Sequence, residues 1–224
     1  MRYCAEASVT TMTIYDLKSR FQGLLRPFAR RLFVAGVTAN QVTLSACFVS
    51  IAVGFLLIGA PRVWFAVLPL WMFVRMALNA IDGMLARELG QKSALGAYLN
   101  ELTDVVSDAA LYLPFAFVAP FDWRSVSAVI FAASLGEMTG VVAVMTGASR
   151  RYDGPLGKSD RAFVFSLLAI WVASTRTLPS AASWVMWAVA LAAAATVVNR
   201  IQCGLRELTS SHDSSQTTTG QEVL

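Results

Sequence analysis

Residues 79–108 read NAIDGMLARELGQKSALGAYLNELTDVVSD and carry five of the fourteen acidic residues of this 224-residue chain. The five are Asp82, Glu88, Glu101, Asp104 and Asp108. Apolar runs flank the stretch on both sides, over residues 64–78 and 109–119. Carboxylates within segments long enough to span a membrane cost free energy, and by default they mark a functional site. The sequence therefore predicts that the function resides in this stretch.

The composition indicates a helical membrane protein. The chain is 56% hydrophobic and only 14% charged, whereas soluble domains carry about 25% charged residues. Its apolar segments follow the 3.6-residue repeat of a helix and not the alternation of a β-barrel strand. We therefore predict an all-α integral membrane protein. The basic residues cluster at predicted membrane edges, where they contact lipid phosphates, so no nucleic-acid partner is expected.

The apolar segments predict six transmembrane helices that follow an amphipathic interfacial helix. The predicted spans cover residues 40–58, 63–87, 95–118, 125–145, 161–175 and 181–201. The predicted units are an N-terminal extension over 1–12, one membrane-embedded domain over 13–206 and a disordered polar tail over 207–224. Within the domain, residues 13–36 form the interfacial helix and residues 38–206 the six-helix bundle. Pro27 is expected to bend or split the interfacial helix.

The distribution of Lys and Arg predicts the orientation. Of the 18 basic residues, fourteen fall on the side that holds the interfacial helix and both chain ends. Only Arg62, Arg124 and Arg176 fall on the other side, and Arg75 lies within the second span. Because basic loops stay in the cytoplasm, we predict a multi-pass inner-membrane protein with cytoplasmic N- and C-termini, in contact with membrane lipids.

Polar side chains form stripes on the second and third predicted spans. The stripes comprise Arg75, Asn79 and Asp82 on the second span and Asn100, Asp104 and Asp108 on the third. Members of each stripe are three or four residues apart, so they share one helix face. A short connection makes the two helices antiparallel neighbours, and the stripes can then face each other. Facing carboxylate and amide oxygens predict a site for a divalent cation, completed by substrate phosphates.

An alternative makes this cluster purely structural. In that interpretation Asn79 and Asn100 form interhelical hydrogen bonds, and Asp82 pairs with Arg75. Glu137, in the fourth span, is predicted to pair with Arg75 or Arg200, or else to contact a substrate.

The same stretch resembles the signature of the CDP-alcohol phosphotransferase family, D-x2-D-G-x2-A-R-x8-G-x3-D-x3-D. The matching residues are Asp82, Gly83, Ala86, Arg87, Gly96 and Asp104. Asn79 and Asn100 stand where the signature has its first and third aspartates, so this chain resembles a bacterial branch of the family with two asparagines. The interfacial helix and the spans also resemble those of the family, and the likeness covers residues 13–206.

This resemblance implies a phospholipid-synthesis transferase that moves a phosphatidyl group from a CDP-activated lipid, such as CDP-diacylglycerol, to an acceptor hydroxyl and releases CMP. Asp104 and Asp82 would be catalytic, with Asp104 as the general base. The residues implied for CDP and its phosphates are Gly83, Ala86, Arg87 and Gly96. One or two Mg²⁺ or Mn²⁺ ions would be held by Asp82, Asp104, Asn79 and Asn100, with Asp108 or Glu101 compensating for the lost charge. The family also implies a homodimer.

A basic loop follows the fourth predicted span. Residues 150–161 read RRYDGPLGKSDR, and their cations are Arg150, Arg151, Lys158 and Arg161. Cations at the start of a helix can hold a phosphate, so we predict that this loop binds the acceptor. Arg150 and Arg151 also fit an ordinary positive-inside loop.

Two other functions stay open from the sequence. A transporter would use the intramembrane carboxylates to carry ions, although the chain shows no internal repeat or matched pair of broken helices. A catalytically degenerate relative would bind the CDP-lipid without turnover, which Asn79 and Asn100 keep possible.

Overall fold

The computed structural model describes the backbone of residues 14–219 and the side chains of residues 21–210. Within those limits the chain is all helical and contains no strand. The α-helices are α1 (Ile14–Val34), α2 (Ala39–Leu57), α3 (Val67–Arg87), α4 (Ala94–Tyr112), α5 (Trp123–Met145), α6 (Lys158–Ser174) and α7 (Ala182–Thr219). A 3-10 helix, Arg62–Ala66, leads into α3, and a second one, Leu113–Phe117, follows α4. The all-α prediction is confirmed.

Four helical segments of the described part are long and apolar enough to cross a membrane. They are Ala39–Leu57, Arg62–Arg87, Trp123–Met145 and Ala182–Ser210. By contrast, α4 carries three carboxylates, and α6 has 17 residues, about 26 Å of helix at 1.5 Å per residue against a hydrocarbon core of about 30 Å. Four of the six predicted spans are therefore long and apolar enough to cross a membrane. The third span, over residues 95–118, and the fifth, over residues 161–175, stay predictions.

Side-chain caps fix where several helices begin. Thr38 and Gln41 form a capping box at the start of α2, each side chain accepting a backbone N–H of the other. The Ser93 hydroxyl accepts the N–H of Gly96 at 2.9 Å, which starts α4. At α5 the Asp122 carboxylate accepts the N–H of Ser125 at 2.8 Å, and this bond lowers the pKa of Asp122. Each such cap stabilises a helix by about 1 kcal/mol.

Aromatic side chains form the centre of the core. The Tyr112 ring stacks on Phe165 with centroids 3.8 Å apart and an interplanar angle of 10°. Phe115 meets Phe65 and Phe165 edge to face, at 5.2 Å from each. All four rings are buried, so they join the end of α4 and both 3-10 helices to α6.

Helix α1 packs on α3. The Arg26 Nε atom lies 3.0 Å from Glu88 Oε2, and the hydrogen bond lowers the pKa of Glu88. Phe21 meets Phe73 edge to face at 5.8 Å. The helix continues through Pro27, so the proline does not split it. The position of α1 at the membrane interface stays a prediction.

Helix α7 continues past the boundary predicted at residue 206. It runs to Thr219, which corrects the predicted disordered tail over residues 207–219. Glu207 ties this end to the chain after α5, because it accepts the Ser149 N–H at 3.0 Å and contacts Arg151 at 2.7 Å. Residues 220–224 and the predicted extension over 1–12 lie outside the described residues.

Helices α2 and α4 cross closely at Gly54. A Cβ atom at this position would overlap the backbone carbonyl of Ala110, so Gly54→Ala would force the two helices apart. Overpacking of this kind costs about 1–3 kcal/mol. We expect a lowered thermal unfolding midpoint in detergent. Gly23→Ala, in α1, is the matched control because nothing lies within 4 Å of its added Cβ, and a midpoint lowered equally in both variants would contradict the prediction.

Candidate active site

The polar stripes of α3 and α4 face each other. Arg75 donates from Nη1 to Asp108 Oδ1 at 2.6 Å and from Nη2 to the backbone oxygen of Asp104 at 3.1 Å. Asn79 donates to Asp104 Oδ1 at 3.5 Å. The short connection between the helices and the repeat on each of them therefore bring these side chains together, as predicted.

Asp104 is the point where the contacts converge. Its Oδ1 atom lies 3.3 Å from Arg75 Nη2, and its Oδ2 atom lies 2.5 Å from the Nζ atom of Lys158 at the start of α6. The side chains of Asp104 and Lys158 are 16% and 28% exposed, so this pair lies at the accessible edge of the cluster. Two cations thus share one carboxylate.

Asp82 is held differently. It is buried, and its Oδ2 atom accepts a hydrogen bond from Thr43 of α2 at 2.8 Å. The alternative in which Asp82 pairs with Arg75 is wrong, since Arg75 bonds Asp104 and Asp108. Asp82 lies seven positions after Arg75 on α3, about 10 Å along the helix axis, whereas Asp108 lies directly across on α4.

A buried ion network lies behind this cluster. Arg161 of α6 is 1% exposed and lies 3.0 Å from Asp108 Oδ2 and 2.9 Å from Glu137 Oε1. Glu137 also lies 3.6 Å from Arg200 of α7. The predicted pairing of Glu137 with Arg200 is confirmed, whereas its partner on α6 is Arg161 and no bond joins it to Arg75 in the described side chains.

The network gives two predicted site residues charged partners. Each oxygen of Asp108 faces a guanidinium, Arg75 on one side and Arg161 on the other, and its role as a metal ligand stays a prediction. Arg161 is buried between Asp108 and Glu137 and lines a small cavity with them, and its role at an acceptor site stays a prediction. Both groups balance charge inside the bundle.

The remaining cations of the basic loop have partners away from Asp104. Arg150 pairs with Glu101 of α4, and compensation of the lost metal-site charge by Glu101 stays a prediction. Arg151 contacts Asp153 at 2.8 Å and Glu207 at 2.7 Å. Of the four predicted acceptor cations, Lys158 is the one that forms an ion pair with Asp104.

The predicted CDP-binding residues lie at the end of α3 and the start of α4. Arg87 is exposed and folds back on its own helix, so that a Cβ on Gly83 would lie 2.5 Å from Arg87 Nη2. Ala86 is half-buried beside it. A Cβ on Gly96 would lie 2.9 Å from the Asn40 side-chain oxygen. Gly83 thus leaves room for the guanidinium of Arg87, and Gly96 leaves room for the side-chain amide of Asn40.

Two contacts of the site were missed from the sequence. Thr43, which bonds Asp82, and Asn40, which contacts Gly96, both come from the first turns of α2. The signal was the polar residues Asn40, Gln41 and Thr43 at the head of an otherwise apolar helix. The contacts of Thr43 with Asp82 and of Asn40 beside Gly96 place the start of α2 against the α3–α4 cluster.

The donor set fits one divalent ion. No group of three His, Cys, Asp or Glu side chains within the described residues is arranged to hold a metal. Asp82 and Asp104 belong to the facing stripes of α3 and α4, and Asn79 and Asn100 are on the same two stripes. Because Mg²⁺ is usually bound by one or two carboxylates together with substrate phosphates, these residues suffice for one ion.

Comparison with known proteins gives consistent matches. Residues 36–198 match the sequence pattern of the family described as CDP-alcohol phosphatidyltransferase. Inner membrane protein YnbA of Escherichia coli (strain K12) is 44% identical over 182 residues, which cover 80% of this chain and 89% of YnbA. Phosphatidylinositol phosphate synthase of Corynebacterium glutamicum is 30% identical over 188 residues, which cover 80% of this chain and 83% of the synthase.

Solved structures share the fold. The crystal structure of Mycobacterium tuberculosis phosphatidylinositol phosphate synthase (PgsA1) with CDP-DAG bound has a TM-score of 0.66 at 23% identity, covering 80% of this chain and 92% of that one. The complex of PgsA1 with manganese and citrate also gives 0.66 at 23%, with coverage of 81% and 88%. The sequence match extends over most of the bundle, and the resemblance found from the motif is confirmed: the chain belongs to the CDP-alcohol phosphatidyltransferase family and is a membrane transferase of phospholipid synthesis.

Proposed function

We propose that this enzyme transfers the phosphatidyl group of a CDP-activated lipid, such as CDP-diacylglycerol, to the hydroxyl of an acceptor alcohol. The observation that carries this proposal is that α3, with Asp82, Gly83 and Arg87 at its end, faces Asp104 of α4, to which Asn79 of α3 donates a hydrogen bond. The acceptor oxygen forms a bond to the lipid-linked phosphorus, the bond from that phosphorus to the CMP oxygen breaks, and CMP leaves. The hydroxyl proton goes to a carboxylate.

Each residue of the cluster has a role in this proposal. Asp104 accepts the proton, because it is the carboxylate at the accessible edge and a base must reach the acceptor hydroxyl. Arg87, exposed beside Gly83, binds the nucleotide phosphates. Asp82, with an amide oxygen of Asn79 or Asn100, would hold Mg²⁺ or Mn²⁺. When bound, such an ion supplies positive charge against the pyrophosphate.

The comparisons support the donor and the metal. PgsA1 has been solved with CDP-DAG and, separately, with manganese and citrate, which favours a CDP-lipid donor and a divalent ion here. The name of YnbA and the four apolar helices favour the inner membrane. Lys158, in contact with Asp104, is the residue we assign to the acceptor. Cytoplasmic termini and a homodimer stay predictions.

Release of CMP tests the proposal. The purified chain in nanodiscs is given CDP-diacylglycerol, a pool of acceptor alcohols and Mg²⁺ or Mn²⁺. We expect CMP release that EDTA stops and added metal restores, because a bound ion offsets the charge of the pyrophosphate. Asp82→Ala should remove the activity, and splitting the pool then identifies the acceptor. CMP release that continues at full rate in EDTA would contradict the metal role.

A second candidate is a degenerate relative that binds the CDP-lipid without turnover. It is favoured by the two cations that already hold Asp104 and by the uncharged Asn79 and Asn100. CDP binding without CMP release from any acceptor would support it. The transporter alternative is set aside, because the family consists of transferases.

A further inference from the structure

Both carboxylates of α4 that face α3 are already matched by cations. Each oxygen of Asp104 faces a positive group, Arg75 at 3.3 Å or Lys158 at 2.5 Å. Each oxygen of Asp108 likewise faces a guanidinium, at 2.6 and 3.0 Å. A divalent ion placed against either carboxylate would meet a like charge at close range, where repulsion in a partly buried site is strong.

Asp82 is the carboxylate of the cluster that remains for a metal. Its hydrogen-bond partner is the neutral hydroxyl of Thr43 at 2.8 Å, and no Lys or Arg in the described part of the chain forms an ion pair with it. It is also on the same helix as Asn79, three residues away, so an amide oxygen and a carboxylate oxygen can share one ion.

Arg75 keeps a fixed positive charge beside Asp104 and Asp108. Its side chain is 6% exposed within the apolar segment Arg62–Arg87, and a guanidinium does not lose its proton in proteins. A buried charge of this kind must be matched, and Arg75 is matched by Asp104 and Asp108. The positive charge of Arg75 therefore stays beside Asp104 whether or not a metal is present.

We propose that the polar cluster takes one divalent cation per chain, on Asp82 with an amide oxygen, and that the fixed charge of Arg75 on Asp104 stands in for a second ion. The inference rests on the proposed function, because it specifies the ion count of that same site. Arg75 is a positioning and charge-balancing residue in this scheme. Asn79 and Asn100 replace two aspartates of the family signature, so the site has less negative charge for a second ion to balance.

The number of bound Mn²⁺ ions tests this. The full chain in nanodiscs is titrated with Mn²⁺ in the presence of CDP, and free Mn²⁺ is followed by its electron paramagnetic resonance signal. We expect one ion per chain in the wild type and loss of that ion in Asp82→Ala. The double variant Arg75→Gln, Asn79→Asp removes the buried cation and adds a carboxylate. Lys158, which is 28% exposed, can turn to solvent, so this variant should bind two. Arg124→Gln, at an exposed arginine outside the cluster, should keep one.

Two ions in the wild type, or one ion in a folded double variant that still binds CDP, would overturn the inference. If the double variant Arg75→Gln, Asn79→Asp does not fold, the number of Mn²⁺ ions bound by the wild type and by a second double variant, Arg75→Lys, Asn79→Asp, tests the inference instead. The lysine keeps the fixed charge, so this variant is expected to bind one ion, and two would overturn the inference. The same samples are assayed for CMP: one ion without CMP release counts against the proposed function alone, and two ions with CMP release count against the inference alone.

Discussion

Asp104→Asn is expected to reduce CMP release by about 10²–10⁴-fold, the contribution usual for a general base. The amide has the same shape as the carboxylate but cannot take the proton of the acceptor hydroxyl. The fold should survive, because Arg75 keeps its 2.6 Å bond to Asp108 and its bond to the backbone oxygen of residue 104. Lys158, 28% exposed, can turn to solvent.

The matched control is Asp122→Asn. It also removes one carboxylate, and asparagine caps a helix about as well as aspartate, so α5 should begin unchanged and CMP release should stay within a few-fold of the wild type. Mn²⁺ and CDP binding are measured on Asp104→Asn in parallel. Retained binding with lost turnover supports the base, whereas wild-type turnover in Asp104→Asn would remove Asp104 from that role.

Helix periodicity explains how much of the site could be predicted. Asn79 and Asp82 on α3, and Asn100 and Asp104 on α4, are spaced so that each pair shares a face, and a short connection forces those faces together. The family signature rests on the same spacing. The all-helical architecture followed from composition in the same way, because apolar segments of this length with a 3.6-residue repeat form helices.

The partners of the buried arginines could not be predicted. Spacing on one helix shows that Arg75 and Asp82 share a face, but the cross-helix carboxylate lies closer to Arg75 than Asp82 does. Arg161 ends the basic loop that the sequence predicts to bind the acceptor, and its burial depends on how α6 packs against α4 and α5. The part of α7 beyond residue 206 likewise makes a contact that is distant in sequence, the bond between Glu207 and Ser149.

The buried network makes Arg161 the side chain whose loss should cost the most stability. Its guanidinium joins Asp108 of α4 to Glu137 of α5, and through them it links to Arg75 of α3 and Arg200 of α7. Removing one partner of a buried ion pair leaves the other charge uncompensated, which costs about 3–5 kcal/mol. We expect Arg161→Met to lower the free energy of unfolding by this amount, measured by thermal or denaturant unfolding in detergent.

The control is Arg124→Met, because Arg124 is exposed and exposed substitutions usually change stability by less than about 0.5 kcal/mol. The double variant Arg161→Met, Asp108→Asn separates lost charge balance from lost packing. If Asp108 is destabilising once Arg161 is gone, neutralising it should recover part of the loss, with a coupling of about 0.5–3 kcal/mol. Strictly additive effects would show that Arg161 acts through its volume and not through its charge. A coupled result would establish that α4, α5 and α6 are held together by ions at the depth where Asp104 and Arg75 are positioned.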